Sequence, residues 1–287
     1  MALQDYVELV RLPAVMTAPG DVLAGAAAAG TLRTVDTLKL VGSSACLYLS
    51  GMALNDYADR ALDAEERPER PIPSGRISPK EALALASGLS VAGLALAGSA
   101  GRQPLKICAA LTGAVWCYDM VAKSTIFGPV VMGGARFLNV LLGGHADLKK
   151  ALFPASLTGA HIVSVTALSR GEVHGSTKAV ATSSLITTTA VSLTAIAAQA
   201  MSREALKSRI AAAVSAALYG VMVGREQLEA VEDPSAGPVR KATGAGIKGL
   251  MPLQASLIAG TGAIALAVGV LSARKLLQIA TRVVSPT

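Results

Sequence analysis

Apolar runs fall at roughly 12 to 30, 36 to 56, 81 to 101, 105 to 122, 126 to 144, 151 to 169, 179 to 201, 210 to 225 and 249 to 273, parted by short polar connections. Most approach the length of about 20 residues that a helix needs to cross a hydrocarbon core. A backbone in lipid must satisfy its own hydrogen bonds, so runs of this kind are helices rather than strands or loops. The chain is therefore expected to be all-α: one domain over 1–287, a polytopic transmembrane helical bundle of about nine transmembrane helices. Two runs leave eight open, because Pro19-Gly20-Asp21 interrupts the first and the run at 210 to 225 is short. The stretch from Arg225 to Lys248 is mixed in charge and contains Pro234 and Pro238, which predicts a solvated loop without continuous helix.

Composition narrows the class further. Of 287 residues, 52% are hydrophobic and 16% charged, a balance that favours a membrane protein over a soluble domain of Ala-rich amphipathic helices. The first residues, MALQDYVELVR, hold two acids before their first cation, which speaks against a cleavable signal segment. Cys46, Cys108 and Cys117 lie inside apolar runs at spacings that match no metal motif and read as small core residues. The net charge of +7 is dispersed between apolar runs, so anionic lipid and a phosphorylated substrate are the expected partners and nucleic acid is not. With nine spans, one membrane face carries 13 Lys and Arg and the other 12, so charge hardly sets the orientation. The face with the polar motifs is assigned to the cytoplasm because soluble diphosphates and metal ions are supplied there. Glycine is abundant at 28 residues, and pairs such as Gly25 with Gly30, Gly133 with Gly134 and Gly143 with Gly144 suit close helix approach.

The second run ends in Asn55-Asp56-Tyr57-Ala58-Asp59-Arg60-Ala61-Leu62-Asp63, followed by RPERPIPSGR. Each four-residue step on a helix turns roughly 40° and rises about 6 Å, so Asn55, Asp59 and Asp63 form one slowly winding stripe. Hard oxygen ligands of this kind suit Mg²⁺, which is commonly held by one or two carboxylates plus substrate phosphate oxygens. Arg67, Arg70 and Arg76 supply groups that bond phosphate bidentately, on a loop stiffened by Pro68, Pro71 and Pro73. The plainer alternative is a solvated charged loop.

A second polar group, Trp116-Cys117-Tyr118-Asp119-Met120-Val121-Ala122-Lys123-Ser124-Thr125, precedes GPVVMGGARFLNVLLGG. Lys123 either contacts a substrate phosphate or snorkels to lipid, and Tyr118 is either a substrate contact or an interfacial anchor. Arg136 and Asn139 are three apart and share a helix face within a span. An intramembrane arginine normally faces the protein interior, pairs with an acid and marks a functional pathway, so both are candidate substrate-binding residues. After the sixth run, SRGEVHG offers Glu172 and His174; a lone loop histidine is usually solvated, and a proton-transfer role is the alternative. His145 and His161 receive no role.

On NDYADRALD with RPERPIPSGR, on YDMVAK and on the layout of spans over nearly the whole chain, the sequence resembles the UbiA superfamily of intramembrane prenyltransferases. GPVVMGGARFLNVLLGG and SRGEVHG resemble its EboC-like branch. The resemblance implies a bundle around a central cavity, a Mg²⁺-bound prenyl diphosphate at the mouth and a lipid-accessible channel for the prenyl tail. It implies that Asn55, Asp59 and Asp63 hold metal and that Lys123, with Arg67 and Arg70, contacts diphosphate. Where the family carries a second aspartate-rich motif, this chain keeps only Glu172 as an acid, which puts a full second metal site in question. The implied activity is Mg²⁺-dependent transfer of an isoprenoid chain from its diphosphate to an unidentified acceptor, a small molecule such as an aromatic one or a lipid. The rivals are a non-catalytic isoprenoid-binding or transport-associated protein on the same scaffold, and a transporter with Arg136 in its pathway.

Overall fold

A computed structural model describes residues 3–11, 15 and 17–283. Its helices are α1 (Leu3–Leu9), α2 (Thr17–Ala29), α3 (Val35–Glu66), α4 (Pro79–Ala100), α5 (Arg102–Cys117), α6 (Gly128–Gly143), α7 (Leu148–Ser169), α8 (Lys178–Ala200), α9 (Leu206–Glu232), α10 (Ala236–Ala259) and α11 (Ile264–Val283). A π-helical turn, Tyr118–Ala122, continues α5, and no strand occurs among the described residues. Six of these helices are long and apolar enough to cross a membrane: α3, α4, α5 with its π turn, α7, α8 and α9. The shorter apolar helices include α6.

Each apolar run is helical over its described residues, although six helices rather than nine reach spanning length, and three of the expected boundaries are corrected. The run at 210 to 225 is the centre of a 27-residue helix, because α9 continues through polar turns at both ends. The stretch from Arg225 to Lys248 is not a loop: it is the end of α9 and the start of α10, joined at 233–235. Pro238 fits because it lies in the first turn of α10, where its missing N–H has no intrahelical partner to lose. The run at 249 to 273 is two helices. Gly262, at φ +89, takes the left-handed conformation that ends α10 before α11 begins. In the first run, residues 12–14 and 16 lie outside the described residues; Pro19 sits in the first turn of α2 and does not break it.

The core is built around α2, which packs against α3, α6, α7 and α10. Its sequence, TAPGDVLAGAAAA, is almost entirely small because four neighbours leave little room for side chains. The α2–α6 crossing is the tightest point: a Cβ at Gly25 would overlap the Val140 carbonyl, and one at Gly143 would overlap that of Val22. A Cβ at Gly134 would meet nothing within 4 Å. Gly143→Ala is therefore expected to lower stability by about 1–3 kcal/mol through overpacking. Gly134→Ala should leave it unchanged or raise it by about 0.5–1 kcal/mol. Thermal unfolding of the two variants in detergent tests this; equal shifts would refute the assignment of the contact.

His161, given no role from sequence, is fully buried on α7. Its Nε2 lies 3.0 Å from the Gly246 carbonyl, so Nε2 carries the proton and Nδ1 accepts from the Tyr219 hydroxyl at 2.9 Å. The ring ties α7 to α9 and α10 in the interior.

Candidate active site

At about 1.5 Å per residue, the 32 residues of α3 exceed a hydrocarbon core about 30 Å thick, so its last turns rise out of the apolar zone. Those turns carry Asn55, Asp59 and Asp63. α3 and α5 run in the same direction, and the π turn at the end of α5 stands beside them. Asn55 Nδ2 donates to Asp119 Oδ1 at 3.2 Å, and the Lys123 ammonium pairs with Asp59. The two rungs match because each helix contributes residues four apart, 55 and 59 against 119 and 123. The π turn, closed by Lys123 N–H to the Tyr118 carbonyl at 2.9 Å, widens the helix where Asp119 and Lys123 must meet α3. Such turns concentrate at functional sites.

The other flank is built by the loop after α3. Arg70 is buried and donates from Nη1 to Asp63 Oδ2 at 2.7 Å and to Asp56 Oδ1 at 3.4 Å. Asp56 Oδ1 also accepts from Arg11 Nη2 at 2.7 Å. Asp56 and Asp63 are seven apart, two helical turns, so one guanidinium reaches both. The loop folds back on itself through Ser74 N–H to the Arg70 carbonyl, Ile77 N–H to the Pro71 carbonyl, and a left-handed Gly75 at φ +75. Arg76, grouped by sequence with the phosphate-binding arginines, instead pairs with Asp5 at 2.9 Å and Glu8 at 2.7 Å and holds α1 onto the loop. Those two carboxylates raise its pKa above the usual guanidinium range.

Tyr118 is half-buried within electrostatic reach of Asp119, Asp59 and Arg170. Across the mouth, the connection after α7 brings Arg170 Nη1 to the Thr125 carbonyl at 2.7 Å, two residues beyond Lys123. It also brings Glu172 beside Arg67 and Arg240. Burial raises the Glu172 pKa, outweighing the opposing pull of the Thr243 hydroxyl, Arg240 and Arg67. His174 is exposed on the same connection.

Arg136 and Asn139 do face inward together and pair with an acid, as their spacing suggests, but they join a different cluster. Arg136 Nε lies 2.8 Å from Asp21 Oδ2, and its Nη2 donates to the Thr17 carbonyl at 3.1 Å. Asn139 Nδ2 donates to Asp21 Oδ2 at 3.1 Å and to the Ala18 carbonyl at 3.0 Å. Gln254 Nε2 completes it with bonds to Asp21 Oδ1 at 2.7 Å and to the Thr17 carbonyl at 2.9 Å. The expected substrate role of Arg136 and Asn139 thus meets a structural one: every bond named here clasps α2 to α6 and α10.

Sequence reasoning passed over Arg11, Asp56 and Asp119. Arg11 is the only Lys or Arg before residue 33, and Asp119 precedes Lys123 by the same four residues that part Asn55 from Asp59. Both signals were present in the chain.

The match to a family model settles the lineage. Residues 14–218 match the UbiA prenyltransferase family, well over half of the chain. The chain belongs to the UbiA prenyltransferase family. Over 141 residues it is 36% identical to the digeranylgeranylglyceryl phosphate synthase of Methanopyrus kandleri, covering 47% of this chain and 52% of that protein. The chain thus spans about half the length of this curated relative. Among solved structures, a UbiA homologue from Aeropyrum pernix superposes with a TM-score of 0.66 at 17% identity, covering 85% of this chain and 96% of that one. One from Archaeoglobus fulgidus, bound to GPP and Mg²⁺, gives 0.64 at 13% identity over 93% and 99%. At such identities the two structures bear on the fold, which is that of UbiA proteins.

The donor chemistry of this UbiA family chain fits a single divalent ion on the α3 side. Lys123 engages only Oδ1 of Asp59 and Arg70 only Oδ2 of Asp63, which leaves Asp59 Oδ2 and Asp63 Oδ1 without a protein partner among the described residues. The Asn55 amide nitrogen donates to Asp119, so its Oδ1 is the atom it offers. No group of three or more His, Cys, Asp or Glu side chains is gathered as a metal site among the described residues.

Proposed function

We propose that this protein is an integral-membrane prenyltransferase that moves an isoprenoid chain from a prenyl diphosphate to a membrane-soluble acceptor, with Mg²⁺ held by Asp59, Asp63 and Asn55. The observation that carries the reading is the alternation of acid and cation at one mouth: Asp59 with Lys123, and Asp63 with Arg70. Each pair is poised for exchange. Asp59 and Asp63 would hold the metal of a bound metal diphosphate and Lys123 and Arg70 would contact its phosphate oxygens, so that no charge would be left buried without a partner. Family membership supports the same chemistry, and so does the Mg²⁺ and GPP bound by the Archaeoglobus homologue.

In the reaction, the bond between the allylic carbon and the diphosphate oxygen breaks and its electron pair leaves with the diphosphate. Mg²⁺, when bound, would stabilise charge on that leaving group. Lys123, Arg67 and Arg70 stabilise the same charge by preorganised contacts, and Tyr118 is assigned a contact to the substrate. The apolar bundle below excludes water until the acceptor bonds to the carbon, and the acceptor proton leaves with the released diphosphate or water. Glu172 is the acid of the opposite wall and the candidate that steers this proton. The relationship to a digeranylgeranylglyceryl phosphate synthase makes a glyceryl phosphate hydroxyl the first acceptor to try, ahead of an aromatic one. We assign the active face to the cytoplasm.

The test is diphosphate release by purified protein given a panel of prenyl diphosphates with a glyceryl phosphate lipid or an aromatic acid. Release should require Mg²⁺, fall to background with EDTA and recover on adding Mg²⁺. Binding without release would favour a non-catalytic isoprenoid-binding protein, the reading to which the single acid Glu172 on the far wall lends support. Absence of both binding and release would sink the proposal.

A further inference from the structure

The two walls of the mouth carry opposite chemistry. The α3 wall presents Asp59 and Asp63. The wall made by the connection after α7 and the first turns of α10 presents Arg170, Arg240 and the carboxylate of Glu172, with Arg67, at the end of α3, within electrostatic reach of that carboxylate. Arg170 donates to the Thr125 carbonyl at 2.7 Å and Arg240 Nη2 to the Glu172 carbonyl at 3.0 Å, both neutral backbone oxygens. A guanidinium has five N–H donors, so these contacts orient the groups and leave most of their donors available, with Glu172 the one carboxylate that Arg240 feels here. At the α9–α10 junction, Glu229 pairs with Lys241 at 3.7 Å, and Asp233 accepts from the Ser235 N–H at 3.0 Å. Glu172 itself is half-buried, where a charged carboxylate is disfavoured.

A diphosphate carries more negative charge than one divalent ion neutralises. A second metal would need carboxylates on the far wall, and that wall offers arginines instead. We propose that Arg67 and Arg240 bind the phosphate oxygens directly in place of a second divalent ion, so that the protein takes up one metal ion per prenyl diphosphate. Guanidinium groups match phosphate oxygens bidentately, which makes them suited to this substitution. The inference rests on the prenyl diphosphate reading above and goes beyond it in fixing the metal count and the residues of the far wall.

Binding of Mn²⁺, counted by electron paramagnetic resonance, with a prenyl thiodiphosphate that resists ionisation, tests it without turnover. One Mn²⁺ per bound analogue is expected, lost in Asp63→Asn and unchanged in Glu172→Gln. The double variant Arg67→Gln with Arg240→Gln should weaken analogue binding about tenfold or more while keeping that count. Both arginines are exposed, so the variants should fold, which retention of the wild-type melting temperature verifies. Two Mn²⁺ per analogue, a count that falls in Glu172→Gln, or wild-type affinity in the double variant would overturn this inference alone. Failure of the wild type to bind the analogue would overturn it together with the prenyl diphosphate reading.

Discussion

Replacing Asp59 or Asp63 with asparagine is expected to lower diphosphate release by about 10²-fold or more, the consequence of losing a few kcal/mol of charge stabilisation on the leaving group. Asn keeps the shape and a neutral oxygen but removes the charge that holds a hard cation. The two variants should differ in a second readout. Among the described residues Asp59 forms its ion pair with Lys123, at the partly open rim, so Asp59→Asn should change melting temperature little. Asp63 is buried against Arg70, so Asp63→Asn leaves that guanidinium with the longer contact to Asp56 alone and should also destabilise the loop after α3. Rates within a few-fold of wild type in both variants would remove these residues from the proposed chemistry. Unaltered Mn²⁺ binding would remove them from the metal site.

The second large effect is expected in the buried interior. Asp21 is fully buried, pairs with Arg136 and accepts from Asn139 and Gln254, which come from two other helices. Arg136→Met leaves that carboxylate without its cation, and removing one partner of a buried pair typically costs about 3–5 kcal/mol. The double variant Asp21→Asn with Arg136→Met removes both charges and should recover a large part of the loss. Melting of the single and double variants in detergent decides the matter. If Arg136→Met folds with wild-type stability yet no longer binds a prenyl diphosphate, the clasp assignment is wrong and the substrate role suggested by sequence is restored.

The lesson for reading such chains comes from particular residues. The stripe Asn55, Asp59, Asp63 was legible because helical periodicity alone puts residues four apart on one face. The pairing of that stripe with Asp119 and Lys123 was not, since it depends on α3 and α5 lying side by side in parallel and on a π turn that no propensity announces. Pro234 does fall in the break between α9 and α10, whereas Pro238 misled because proline forbids helix interiors but suits the first turn, and only the start of α10 tells which applies. Arg76 looked like its neighbours Arg67 and Arg70 until α1 supplied two carboxylates to it.

Composition and apolar run length were enough to establish a helical membrane bundle, because a backbone in lipid has few ways to satisfy its hydrogen bonds. The order of motifs was enough to suggest a metal diphosphate at one mouth. Tertiary structure alone decided which charges neutralise one another: Asp59 with Lys123, Asp63 with Arg70, Asp21 with Arg136. Ion pairing depends on the distance between side chains from separate helices, and sequence spacing constrains that distance only within a single helix.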